Sequence, residues 1–176
     1  MAARLIVERV VDPGGHPIAT TVSPVRLRRS VDRILSTNVL CAMATVRGAQ
    51  AHINTAYFCY SADLELFFLS DPRSTHARNV GANPTMAMAV FSSAQVWGEP
   101  DAGLQFFGRC AEARGRFAPL AQRLYAKRFR DYDASALDEY RFYGFVARRV
   151  KVFDERALGG GVFVLARIAP RRRSRA

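Results

Sequence analysis

The sequence predicts a mainly β protein, a small antiparallel β-barrel of about six main strands with a few helices packed outside it. Two observations predict this fold. Apolar runs of strand length recur along the chain with turn residues between them, whereas helical periodicity is confined to a few short segments. The 176 residues are 49% hydrophobic and include 12 Phe and 6 Tyr, which is enough to fill one core. Closing the sheet into a barrel removes the exposed edges that an open sheet would leave.

Helical spacing of apolar residues predicts the helices. Residues 24–37 form the clearest amphipathic segment, and Pro24 suits a helix start. The apolar face of this helix contains Leu27, Val31, Ile34 and Leu35. Residues 116–130 show a second amphipathic pattern, and a short basic helix is predicted at 74–80, where Gly81 and Pro84 end it.

Runs of apolar and alternating residues predict the strands. In chain order they are a possible short strand at 5–11 and strands at 38–46, 51–60, 64–70, 85–91, 104–113, 140–153 and 161–168. The strands at 38–46, 51–60 and 64–70 follow one another through short turns, which predicts an antiparallel meander.

No repeat or second domain is evident, so we expect one domain over residues 1–176. Residues 1–23 are predicted to be an N-terminal extension. Residues 170–176 form a basic tail without apolar periodicity, and we expect this tail to be disordered.

Composition narrows the classes of function. The formal net charge of +11 favours anionic ligands, but no helix-turn-helix, zinc-finger or RNA-binding pattern supports a nucleic-acid partner. The three cysteines lie in apolar runs without CxxC spacing, which predicts reduced thiols and no metal site. Glu8 and Arg9 interrupt the N-terminal apolar patch, and no apolar run is long enough for a membrane helix. We therefore expect a cytoplasmic protein.

The junction at residues 66–84 is unusually polar, since an apolar strand enters a basic helix through Ser70, Ser74, Thr75 and His76. Two interpretations remain open. The hydroxyls can simply cap the helix, which is a common arrangement. Alternatively, the exposed N–H groups of the first helical turn, together with nearby Arg73 and Arg78, can bind a phosphate.

The order of these elements, with "NTAYF", "LELFFLSDP", "RSTHARNV" and "ANPTMAMAVF" following a helix and a buried strand, resembles the pyridoxamine 5'-phosphate oxidase-like family of FMN-binding split β-barrels. The resemblance covers residues 24–168. It implies a homodimer with a flavin along the barrel wall at the subunit interface. Many relatives carry Lys or Arg where this chain has His76, which puts the strength of phosphate binding in question.

The resemblance also implies which residues touch the cofactor. Asn54, Thr55 and Ala56 would lie against the flavin ring. Without the resemblance, a polar patch on an edge strand would be the favoured explanation of the Asn-Thr pair. Leu69 and Ser70 would border the ring and ribityl chain. Ser74, Thr75 and His76 would face the phosphate, and Arg73 or Arg78 would compensate for the missing charge at His76. Gln105 would reach the cofactor from the second subunit.

The resemblance implies a flavin-dependent oxidoreductase that transfers hydride between bound FMN and a small organic substrate. No nucleophile or carboxylate pair is needed for this transfer, and the sequence does not indicate a catalytic side chain. Two alternatives stay open: a reductase of the same fold that uses the deazaflavin F420, and a non-catalytic protein that binds flavin or haem. His52 and His76 are the candidate axial ligands for haem.

Overall fold

A computed structural model describes residues 3–133 and 139–169, and the basic tail predicted at 170–176 lies outside this part. The elements in chain order are β1 (Arg4–Val11), α1 (Pro24–Thr37), β2 (Leu40–Arg47), β3 (Gln50–Tyr60), β4 (Glu65–Ser70), α2 (Thr75–Ala82), β5 (Thr85–Phe91), β6 (Ala102–Glu112), α3 (Phe117–Arg128), β7 (Arg141–Asp154), α4 (Glu155–Leu158) and β8 (Phe163–Ala169). The fold is mainly β, as predicted. The four-residue helix α4 was not predicted, and Asp154 caps it by accepting a bond from the Ala157 N–H at 3.2 Å.

Six strands close into an antiparallel barrel in the order β7-β4-β3-β2-β5-β6, because β6 pairs with β7. The outer strands β8 and β1 continue the sheet from β7, so part of the predicted N-terminal extension belongs to the sheet. The 14-residue β7 makes both connections possible. One of its edges pairs with β4 over Arg141–Val146 and then with β8 over Arg149–Phe153.

The barrel interior is filled by aromatic and aliphatic side chains. Phe58, Phe68, Phe106 and Phe145 are fully buried in one cluster. The predicted apolar face of α1 joins this cluster, and α1 lies near the end of β7, where Arg33 Nη2 is 2.8 Å from Asp154 Oδ2. A second, smaller cluster forms where α3 covers the outer side of β3, β4 and β7.

The core predicts a sharp contrast between two neighbouring side chains of β7. Phe145 is fully buried, whereas Val146 is 44% exposed. We expect Phe145→Ala to lower the free energy of unfolding by about 3–5 kcal/mol, and Val146→Ala to change it by about 0.5 kcal/mol or less. Urea unfolding followed by circular dichroism measures both, and equal losses would contradict the assigned directions of the two side chains.

Candidate functional site

The barrel is open along one side of β3. β2 pairs with β3 from Gln50 to Tyr57, but β4 pairs only with Phe58–Tyr60. Residues 50–57 of β3 therefore keep an edge that β4 does not cover. After Ser70 the chain leaves the sheet and forms α2 beside this opening, where the rings of His52 and His76 lie nearly parallel with centroids 6.4 Å apart. The split and the start of α2 form one site.

The N-terminus of α2 presents hydrogen-bond donors to the split. Ser74 is the N-cap residue, and its Oγ accepts a bond from the Ala77 N–H at 3.3 Å. The N–H groups of Thr75 and His76 have no carbonyl partner inside the helix, because the first turn of any α-helix lacks one. Thr75 is also exposed, so its hydroxyl stands beside the positive end of the helix dipole.

His76 is an internal support of this turn. Its Nε2 lies 2.6 Å from Ser70 Oγ and 3.2 Å from Ser74 Oγ, and the two hydroxyls are 3.2 Å apart. The residue is only 8% exposed. Burial lowers the pKa of His76, and the nearby charge of a protonated His52 lowers it further. His76 is therefore a neutral residue that fixes the loop.

The two arginines of the junction differ in their surroundings. Arg73 Nη2 lies 2.9 Å from Asp71 Oδ2 and 2.5 Å from Glu139 Oε2, and these carboxylates raise the pKa of the guanidinium. Arg78 is exposed on the second turn of α2. Two carboxylates hold Arg73. Arg78 is therefore better placed than Arg73 to supply the positive charge that a neutral His76 lacks.

The predicted ring-binding residues lie across the split from α2. The side chains of Asn54 and Ala56 lie on the same face of β3 as Phe58, which is the barrel side. Asn54 Nδ2 donates to the Thr55 carbonyl at 3.0 Å. Thr55 points outward and is exposed. Leu69 is half-buried and packs into the cluster under α3, so its side chain faces away from the barrel interior.

Gln105 lies on the outer wall at a distance from the split. Thr55, Ala42, Ala89 and Gln105 occupy one row across β3, β2, β5 and β6. Three strand spacings separate Thr55 from Gln105, which is about 14 Å. The fold thus gathers Ser70, Ser74 and His76 at one point, with Thr75 next to them in the chain. It places His52 of β3 beside His76 and leaves Gln105 apart.

A buried contact that the sequence does not reveal positions α2. Asn79 Nδ2 donates to Thr45 Oγ1 of β2 at 3.1 Å, and both residues are buried. This bond and the packing of Val80 anchor the helix against the end of the barrel. Asn79 resembles any polar residue near a helix end, so no sequence signal identifies its role.

The comparisons identify the family. The fold and the split define a split β-barrel. The sequence pattern of the pyridoxamine 5'-phosphate oxidase family matches residues 27–154, which is more than half of the chain, and the chain therefore belongs to this family. A search of curated proteins finds no match.

Solved structures agree on the fold. A candidate pyridoxamine 5'-phosphate oxidase from Listeria innocua superposes with a TM-score of 0.58 at 16% identity, over 72% of this chain and 98% of that one. An FAD-binding protein from Mesorhizobium loti gives 0.57 at 17% identity, over 84% and 96%. A haem-binding protein from Mycobacterium smegmatis gives 0.62 at 16% identity, over 85% and 60%.

Other chemistry-bearing side chains add little to the site. Cys41, Cys59 and Cys110 are free and buried, and burial raises the pKa of each thiol to about 12.

Among residues 3–133 and 139–169, no group of three or more His, Cys, Asp and Glu is arranged to hold a metal ion. Across the same residues, no helix combines the length and apolarity needed to cross a membrane.

The buried His76 predicts a pH dependence. Its pKa in the folded protein lies below the ordinary value of 6.5, so the unfolded chain binds a proton first as the pH falls. We expect the free energy of unfolding to decrease as the pH drops through about 6.5, and His76→Asn to reduce this decrease. Urea titrations at several pH values between 8 and 5 measure it.

The matched control for this experiment is His16→Asn, because the His16 side chain is 81% exposed. An unchanged pH dependence in His76→Asn, or the same reduction in both variants, would argue against a buried neutral His76.

Proposed function

We propose that the protein is a flavin-dependent oxidoreductase that binds FMN in the split between β3 and α2. The observation that carries this proposal is the uncovered edge of β3 beside a helix N-terminus. The edge offers backbone donors and acceptors to the polar side of a flat ring. The helix N-terminus offers N–H groups and the Thr75 hydroxyl to a phosphate.

The available residues fit such a ligand. Asn54, Thr55 and Ala56 line the edge, and Ser70, Ser74 and Thr75 surround the helix start. His76 contributes a rigid support rather than a full positive charge, so Arg78 and the helix N-terminus provide the positive potential. The FAD-binding relative from Mesorhizobium loti supports a flavin nucleotide as the ligand class.

A homodimer would complete the site. The outer wall of β2, β3, β5 and β6 exposes large apolar side chains, which in a soluble monomer are rarely so concentrated. These side chains are Leu40 (47% exposed), Val46 (38%), Ile53 (74%), Tyr57 (54%), Phe91 (48%) and Phe107 (46%). A second subunit packed on this wall would cover them, and its Gln105 would approach the flavin that residues 54–56 hold here.

Bound flavin supplies the redox chemistry by accepting or donating hydride. The protein's part is to orient the ring along β3, to hold the phosphate at Thr75 and to exclude water through the second subunit. Direct hydride transfer needs no catalytic nucleophile, and we assign none. The substrate would be a small organic molecule that binds beside the flavin.

Two alternative cofactors occupy the same site in this scheme. F420 shares the ring-binding edge, and haem would need an axial ligand. The close contacts of His76 Nε2 with two serine hydroxyls disfavour His76 as that ligand and leave His52. An absorption spectrum of freshly purified protein separates the cases. Two visible flavin bands support the proposal, whereas a single deazaflavin band or a Soret band would replace FMN by the corresponding cofactor.

The phosphate assignment predicts a difference between FMN and riboflavin, which lacks the phosphate. Thr75→Val keeps the side-chain shape but removes one charge-assisted hydrogen bond worth about 1.5–3 kcal/mol. We expect FMN affinity to fall by about 10- to 100-fold, with riboflavin affinity unchanged. Fluorescence titration with both flavins measures this.

Ser23→Ala is the control, because Ser23 begins α1 without a side-chain cap bond. If the Thr75→Val variant binds FMN as tightly as the wild type, the phosphate does not bind at the start of α2.

The dimer predicts a separate effect. Ile53 is 74% exposed on the outer wall, so Ile53→Arg leaves the folded subunit intact but places a charge in the proposed interface. We expect this variant to sediment as a monomer and to bind FMN more weakly. Val25→Arg is the control, since Val25 is 62% exposed on α1. If both variants sediment like the wild type, the outer wall is not the interface.

A further inference from the structure

A second concave site lies on another part of the barrel surface. It is a groove of about 530 Å³ between the start of α3 and the outer faces of β4, β6 and β7. Small-molecule sites commonly have volumes of about 300–1,000 Å³. Phe67, Phe117, Gly144 and Val146 are among the residues that line it. None of the residues of the proposed flavin site lines it.

The open space in the groove depends on a glycine. A Cβ at Gly144 would lie 3.3 Å from Cε1 of Phe67, so a larger residue there would crowd the ring and fill the groove. The Val146 side chain is 44% exposed beside it. This combination leaves an apolar surface open for a ligand.

The acidic residues of the groove form ion pairs, whereas two of its arginines do not in the described part of the chain. Glu112 lies 3.2 Å from Arg114, and Glu65 lies 3.6 Å from Arg116, so the two acidic residues are paired. Arg109 and Arg148 also line the groove and are exposed. Within residues 3–133 and 139–169, neither of these guanidinium groups forms an ion pair with a carboxylate. Because Arg114 and Arg116 pair with the two acidic residues, Arg109 and Arg148 are the lining cations that remain available to an anion.

A β-bulge directs Arg148 into the groove. Gly108 pairs with Ala147, and Phe107 pairs with Arg149, so Arg148 is an extra residue on β7. A Cβ at Gly108 would lie 2.2 Å from the Val146 carbonyl oxygen, which only glycine avoids. Because a bulge changes the direction of the side chains beside it, Arg148 and Arg149 are both exposed.

We propose that this groove binds a small amphipathic carboxylate. Arg109 and Arg148 receive the carboxylate, which matches the forked geometry of guanidinium groups. The apolar body lies over Phe67 and Val146. This site is independent of the flavin site, and the proposal stands whether or not the protein binds flavin.

Calorimetric titration of the full-length protein tests the proposal with 1-naphthoate, its uncharged analogue 1-naphthalenemethanol, and decanoate. We expect 1-naphthoate to bind at least 10-fold more tightly than the alcohol. Arg109→Gln together with Arg148→Gln removes this preference. Arg149→Gln is the matched control and retains it, because Arg149 lies next in the chain but pairs with Glu8 at 3.3 Å.

Two further measurements locate the ligand. Ala111→Phe fills the groove from an exposed position and weakens binding of both naphthalene ligands. Saturating FMN leaves 1-naphthoate binding unchanged, which separates this site from the split. Decanoate binding with the same arginine dependence supports a flexible apolar body, and binding of 1-naphthoate alone supports a flat one.

Three results would overturn the proposal: no binding of either carboxylate, equal affinity in the wild type and the double arginine variant, or displacement of 1-naphthoate by FMN. A failure of FMN to bind would overturn the proposed flavin function and leave the groove experiment intact. Circular dichroism of each variant confirms that the comparison is made between folded proteins.

Discussion

The early end of the β3–β4 ladder is the constraint on which the site depends. Pairing stops after the Phe58–Phe68 pair, because the chain turns at Ser70 into α2. Unpaired backbone groups at a sheet edge favour pairing with another polar partner. Here the edge lies near the first turn of α2, since the rings of His52 and His76 are 6.4 Å apart, and the N–H groups of that turn have no intrahelical partner. One local break in the ladder thus concentrates unsatisfied donors and acceptors in a single opening, while the rest of the barrel stays closed.

The rigidity of this opening comes from buried side chains on both sides of it. His76 bonds to Ser70 and Ser74 under the turn, and Asn79 bonds to Thr45 of β2. Thr45, Ser70, His76 and Asn79 are buried, so breaking a contact between two of them leaves a polar atom without water as a substitute partner. The helix N-terminus is therefore held in a fixed position relative to β3. Such preorganisation lowers the free-energy cost of ordering the site when a ligand binds.

Local pattern was sufficient to predict most elements but not their pairing. The bounds of α1 and β5 are as predicted, since Leu27, Val31, Ile34 and Leu35 mark one face of the helix and Pro84 fixes the start of the strand. The start of α2 at Ser74 was also predicted from its hydroxyls, but the predicted end at Gly81 was wrong, because the helix continues to Ala82. By contrast, the inward direction of His76 depends on distant packing, and the bulge at Arg148 depends on the approach of β6 at Gly108. Neither feature has a signal within a short window of sequence.

The neutral state of His76 changes how a phosphate would be stabilised. A Lys or Arg at this position would carry a full charge, whereas His76 lies buried against Ser70 and Phe68. The protein instead keeps an uncharged imidazole inside and leaves Arg78 and the helix dipole to act from the surface. An anion at Thr75 would stabilise the protonated form of His76, and a proton on His76 would in turn strengthen anion binding. Anion binding at this turn would thus be coupled to the ionisation of the buried His76.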